Sequence, residues 1–248
     1  MSYWSFSRID TYRKCPFKYF LKYIRKIYLS YPNNAVVFGN GFGDFVEYWA
    51  INENLTLEQA LNIYFKTCLK HKCLDDINEI KKLSNIIRQY YEGGYRIDPL
   101  IIKGKPAAEY DIKFKLVEEP FGGKIDIIRY DHAVLDYKSQ KEDTNYPYTL
   151  KDLLPTSEKG LQLMIYCLGY LREFKKIPPY RGFRVVVKSN PIQVKDLIVP
   201  NKKSELIKAR NYLEEIVIKI LEAKSFPKNP SGLCPYCDYY KKQCNGRY

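Results

Sequence analysis

Cys15 stands alone near the start of this 248-residue chain, while Cys234, Cys237 and Cys244 fall within its last fifteen residues. Three thiols at that spacing need a fourth donor to close a tetrahedral metal site. Cys15 is the best candidate, and it qualifies only if the two ends of the chain meet. The fold must then close on itself around whatever lies between.

What lies between changes character near its middle. The first thirty residues read as two short helices parted at Cys15-Pro16, with Ser5 or Ser7 capping the first and Pro16 opening the second. Residues 39–50 set small side chains on one side and Phe42, Phe45, Val46 and Trp49 at helical spacing. Thr56-Leu57-Glu58-Gln59 is a capping-box pattern that opens a helix to about residue 72, and another helix runs from 75 to about 92, stopped by Gly93-Gly94. From Ala107 the period becomes that of strands. Residues 109–116, 124–130 and 133–138 form an antiparallel meander, with Gly122-Gly123 and Asp131-His132 at its turns. Residues 158–174 read as a helix, 183–188 and 192–198 as strands, and 204–223 as a helix before the cysteine-rich tail. The expected class is α/β with a central mixed sheet flanked by helices. One domain is expected over 1–248: a mostly helical part to residue 105, a core from 106 to 200, and a C-terminal helix and tail from 201.

An apolar fraction of 46% belongs to a folded globular protein, and no stretch is long enough to span a membrane. Met1 to Arg8 shows no basic region followed by an apolar one, so the default compartment is the cytoplasm of a prokaryotic cell, or of the host if the chain is viral. A formal charge of +13 points to a polyanionic partner, although abundant Lys, Ile, Tyr and Asn also fit the bias of an AT-rich genome. There is no phosphate-cradling glycine loop, so the chain is not expected to power a helicase.

The chemistry lies in the meander. Residues two apart on a strand share a face, so Asp136 and Lys138 project together while Tyr137 points away, and Asp126 on the preceding strand can face the same space. Two adjacent carboxylates repel unless a cation sits between them, and Mg²⁺ with several waters resolves the conflict. Gln162 and Tyr166 lie one turn apart on the following helix, in line with Glu158. Gly123-Lys124-Ile125-Asp126, Leu135-Asp136-Tyr137-Lys138 and Gln162-Leu163-Met164-Ile165-Tyr166 together resemble the motifs of the RecB-like branch of the PD-(D/E)XK nuclease superfamily. The resemblance implies a nuclease-like core in which Asp126, Asp136 and the backbone carbonyl of Tyr137 bind Mg²⁺ or Mn²⁺ and Lys138 serves the catalytic water. It adds Glu109 as a supporting acid and Gln162 and Tyr166 as the trailing motif. Gly43 stands where such nucleases commonly carry a helical histidine, which leaves Asp44 or Glu47 as the further ligand.

The segment from Ser7 to Pro16 resembles the N-terminal cysteine segment of iron-sulfur RecB-like nucleases, among them the AddB nuclease domain and CRISPR-associated enzymes. That resemblance implies a 4Fe-4S cluster on Cys15, Cys234, Cys237 and Cys244, with Zn²⁺ as the alternative that spacing alone leaves open. It further implies a DNA nuclease acting on single strands or ends in recombination, repair, phage DNA processing or CRISPR spacer acquisition. Recombination or CRISPR adaptation proteins would be its partners. A weakened nucleic-acid-binding or adaptor subunit is the second reading, and a zinc-bearing DNA-binding module the third. Outside these sites, only Cys68 and His71 of the group Cys68, His71 and Cys73 share a helix face, and the group reads as a satisfied or exposed helix side, Cys167 as core and His132 as an exposed turn residue.

Overall fold

The computed structural model describes residues 3–29, 34–70 and 77–245. Helix α1 (Phe6–Lys14) is capped by Ser5, whose hydroxyl accepts from the Arg8 N–H, and α2 (Pro16–Tyr19) is capped by Cys15, whose Sγ accepts from the Lys18 N–H at 3.4 Å. A π-helical turn, Phe20–Ile24, continues α2. Helices α3 (Asn34–Ile51), α4 (Leu57–Lys70) and α5 (Ile77–Glu92) follow. The capping box is present: Gln59 N–H donates to Thr56 Oγ1 at 3.2 Å and Thr56 N–H to Gln59 Oε1 at 2.9 Å. The expected ends at 72 and 75 run into residues outside those described, as do His71 and Cys73.

A short hairpin, β1 (Ile101–Ile102) with β2 (Lys105–Pro106), precedes the main sheet. That sheet holds β3 (Ala108–Leu116), β4 (Glu119–Ile128), β5 (Val134–Lys141), β6 (Tyr180–Lys188) and β7 (Gln193–Pro200) in chain order. Only β5 and β6 run parallel, joined by the crossover helix α6 (Gly160–Phe174), and α7 (Lys203–Leu221) closes the fold. The expected mixed central sheet is therefore present. α6 begins at Gly160, so Glu158 stands before the helix and pairs with Lys14 instead.

Gly122-Gly123 is not a turn. The β3–β4 hairpin turns at Val117 and Glu118, whose φ angles of 46° and 59° are the positive pair a type I′ turn needs. The glycines lie inside β4, where backbone approaches backbone: Gly122 N–H donates to Trp4 O at 2.9 Å, and Trp4 N–H donates to Pro120 O at 2.8 Å. The reason for this pairing lies next door. β4 and β5 pair only at Ile127↔Leu135 and Ile128↔Val134, then part, which leaves the rest of that β4 edge open to Trp4.

Both faces of the sheet are covered. α6, α7 and α1 bury one face with Phe114, Phe121, Val134, Phe183 and Val185, while α3, α4 and α5 bury Val186 and Ile192 on the other. The ends of the chain meet through protein contacts: Asn229 Nδ2 donates to Lys14 O at 2.9 Å, Phe17 N–H to Pro227 O at 3.1 Å, and Phe226 stacks on Tyr19 and Phe20. Among the described residues no helix is long and apolar enough to cross a membrane.

Trp4 is 1% exposed, stacks on Phe121 and donates from Nε1 to Glu119 Oε2 at 2.8 Å. Trp4→Ala is expected to cost about 3–5 kcal/mol in urea unfolding, and a loss below about 1 kcal/mol would show that this edge contact does not hold the fold.

Candidate active site

The parting of β4 from β5 makes the site. In a regular ladder Asp126 and Asp136 would oppose one another across paired backbones, one step beyond Ile127↔Leu135. Instead Asp126 Oδ2 accepts the Tyr137 N–H at 2.9 Å, a carboxylate standing in for a strand. On its other side β4 is disturbed as well. Glu109, in β3 opposite Asp126, takes a φ of 46° between the pairs Ala108↔Ile127 and Tyr110↔Ile125. Ile125 and Ile128 then join one core cluster, a three-residue step that an unbroken strand would place on opposite faces.

Asp136, Lys138, Gln162 and Tyr166 are in direct contact. Asp136 is 1% exposed; its Oδ2 lies against the Lys138 ammonium, and its Oδ1 accepts from Gln162 Nε2 at 2.8 Å. Gln162 is the hub, since its Nε2 also donates to Tyr166 Oη at 2.8 Å and its Oε1 accepts from Lys138 Nζ at 3.2 Å. The alternation of β5 and the one-turn spacing on α6 bring these four groups to one place. A cleft of about 280 Å³ opens beside them, lined by Glu109, Lys124, Asp126, Gln162 and Tyr166, with Ser5, Phe6 and Ser7 at its lip.

The expected acids divide in two. Asp126 and Asp136 form the inner pair, Asp136 buried and Asp126 half-buried, whereas Glu109 bonds Lys124 across 3.5 Å at the margin. Asp44 and Glu47 come from α3 on the far side, within electrostatic reach of Glu109, and Asp44 Oδ2 accepts from Thr67 Oγ1 at 2.7 Å. Burial pushes the Asp126 carboxyl well above the usual carboxylate range, with repulsion by Asp136 adding to it and Lys138 opposing. Burial also raises Asp136 against the pull of Lys138. Burial opposes the charge on Lys138, but Asp136 and Asp126 outweigh it and hold the ammonium form. Glu109 and Glu47 are raised by burial and by neighbouring acids.

Among the described residues no three His, Cys, Asp or Glu side chains stand close enough to hold a metal ion. A buried and a half-buried carboxylate facing one another still suit a cation that keeps most of its own water, as Mg²⁺ does. Cys15, Cys234, Cys237 and Cys244 line one cavity of about 270 Å³ without closing into a metal-holding group. Two of them accept backbone N–H groups, Cys15 from Lys18 and Cys234 from Ser231 at 3.3 Å.

Sequence reasoning left out Tyr148, Lys124 and the Ser5–Ser7 lip. Tyr148 sits edge-on to Phe183 and under the Lys159 ammonium, within electrostatic reach of Lys138. No spacing rule links it to β5, because it lies in the crossover loop. Lys124 follows Gly123 in the first motif, and its alternation with Asp126 was the available signal. Cys167 is buried as expected, Cys68 is buried on α4, and His132 is half-buried rather than exposed, its Nδ1 at 2.6 Å from Tyr170 Oη.

The profile of the PD-(D/E)XK nuclease superfamily matches residues 3–245. The chain belongs to the PD-(D/E)XK nuclease superfamily. Its fold is similar to the crystal structure of a "Putative exonuclease" from Eubacterium rectale, with 13% identity over 88% of this chain and 80% of that one and a TM-score of 0.64. The structure of SSO0001 aligns over 94% of this nuclease and 93% of its own chain at 11% identity, with a TM-score of 0.36. No curated protein matches.

A carboxyl whose pKa rises on folding opposes the fold once ionised, so metal-free protein should lose stability as pH climbs from the ordinary carboxylate range through the raised value of Asp126. Asp126→Asn keeps an oxygen for the Tyr137 N–H. It is expected to melt ~2–8 °C above wild type near pH ~8, with the gap closing toward pH ~4. A variant that melts at or below wild type at the higher pH would contradict this account of the pair.

Proposed function

We propose that this nuclease is a Mg²⁺- or Mn²⁺-dependent deoxyribonuclease, one domain over 1–248, that hydrolyses phosphodiester bonds at DNA ends or in single strands. The observation that carries the reading is the fork: Asp126 and Asp136 face one another where β4 and β5 part, with Lys138 alongside. Asp126, Asp136 and the carbonyl of Tyr137 would hold the ion, with Asp44 or Glu47 reaching it from α3. Bound there, such an ion would supply a Lewis acid for the phosphoryl oxygen and for the leaving oxygen.

The protein's own groups do the rest. Lys138, held as an ammonium, donates a hydrogen bond that orients the attacking water and counters charge on the phosphate. Gln162 fixes Lys138 and Asp136 relative to one another, and Tyr166 fixes Gln162. Glu109 and Lys124 form the margin where the substrate enters. Purified protein with Mg²⁺ or Mn²⁺ is expected to degrade labelled single- or double-stranded DNA, and Asp136→Ala to slow this at least ~100-fold. Intact DNA with both ions would overturn the reading.

Gly43 supports the second reading, of a weakened nuclease kept as a binding or adaptor subunit. A Cβ at Gly43 would meet nothing within 4 Å, so a side chain can leave the helix there without a clash at its base. Gly43→His is expected to fold normally. A large gain in cleavage by the variant over an inactive parent would favour the adaptor.

The shared cysteine cavity supports a 4Fe-4S cluster as a structural clasp, ahead of Zn²⁺. Anaerobically purified protein is expected to contain iron and absorb broadly near ~400 nm; colourless protein with zinc would select the alternative, and neither metal would remove both. The motifs around Asp126, Asp136 and Gln162 support RecB-like ancestry, and with the cysteine segment they support a place in recombination, repair, phage DNA processing or CRISPR spacer acquisition, with partners from those systems.

A further inference from the structure

The active-site cleft leaves a second, basic concavity unexplained. Between the end of α1, the second half of α7 and residues 223–229 runs a groove of about 820 Å³. Arg13, Lys219, Lys224 and Lys228 line it, and Glu215 is the only acid among its lining residues. None of these four cations is ion-paired with a carboxylate among the described residues. Lys228 Nζ donates to the neutral Asn245 Oδ1 at 3.3 Å, and the Arg13 guanidinium lies 5.6 Å from the centre of the Tyr212 ring. Arg13 Nη1 is buried with no hydrogen-bond partner. Asp10 Oδ1, one turn earlier on α1, is buried and unpartnered as well, so an anionic oxygen in the groove would meet the exposed Lys219 and Lys224 first.

The position of the groove identifies its occupant. Phe6 lines the active-site cleft and Arg13 lines the groove, and they share one face of α1, two turns and ~10 Å apart. Ile9 and Asp10, between them on that face, are covered by protein, so a strand would pass from one to the other over the neighbouring exposed side of α1. Tyr12 and Tyr212 give the groove an apolar floor between its cations, a mixture that suits a strand whose bases are not buried in a duplex.

We propose that this groove carries the sugar-phosphate backbone of a single nucleic-acid strand whose reactive diester sits at Asp126 and Asp136. The assignment rests on the nuclease reading, but it can be tested without cleavage. Binding of a labelled oligothymidylate of ~20 nucleotides is measured by fluorescence anisotropy in EDTA, at several salt concentrations. Lys219→Gln/Lys224→Gln removes two exposed charges. It is expected to weaken binding on the order of tenfold at ~0.1 M salt and to make the slope of log affinity against log salt shallower by about 1.4.

Lys103→Gln/Lys105→Gln, which lines neither cavity, removes the same charge elsewhere and is the control. Unchanged affinity and slope in the groove variant, or equal losses in both variants, would overturn the proposal. A blunt duplex that loses affinity as much as the single strand would overturn the choice of a single strand. Weakened binding in the groove variant alone, from a protein that cleaves no DNA with either ion, would keep the groove and remove the nuclease.

Discussion

One hydrogen bond organises the centre of this protein: the Asp126 carboxylate takes the Tyr137 N–H that the neighbouring strand would otherwise bind. A sheet closes laterally because each backbone group finds a partner across it. Where β4 and β5 separate, Asp126 meets that need on one side and Trp4 on the other. The separation makes room for two carboxylates to face one another without losing the ladder above them. Asp136 is buried and Asp126 half-buried, so the site holds a repulsion that Lys138 and the Tyr137 N–H offset from within the protein. An acidic centre in a chain of net charge +13 depends on this arrangement.

The helices act on the fork from two directions. α6 crosses between parallel strands and lays Gln162 and Tyr166 over β5, so the crossover that the topology requires also supplies the clamp on Lys138. Its approach to β3 is close: a Cβ on Gly169 would stand 2.5 Å from Ile112 Cδ1. α1 reaches the same place by another route. Trp4 ties its start to β4, which sets Ser5, Phe6 and Ser7 at the lip of the cleft, while its far end enters the cysteine cavity and the basic groove.

Much of this was legible because it is local. The alternation Asp136-Tyr137-Lys138, the turn between Gln162 and Tyr166 and the capping box at Thr56 depend on the pitch of a strand or helix, and each appears where its spacing puts it. Gly122-Gly123 misled for a physical reason. Glycine marks close approach as well as turning, and the approach here is by Trp4, more than a hundred residues earlier. Glu109 was placed in a strand, yet its positive φ reflects a kink that no local pattern announces. Tyr148 is brought to Lys138 by a loop, and loops carry no period. That the two ends of the chain meet was legible only as a condition of the cysteine pattern, and Phe226, Asn229 and Tyr239 supply the contacts that join them.

The fork has one more consequence. A strand that leaves its neighbour exposes donors and acceptors in the interior of the sheet, an inner edge as able to recruit a foreign strand as any outer one. Trp4 covers that edge with two hydrogen bonds and a buried indole. A few residues at the start of the chain thus act as a guard against self-association, and the protein keeps its opening for substrate without offering that edge to its own copies.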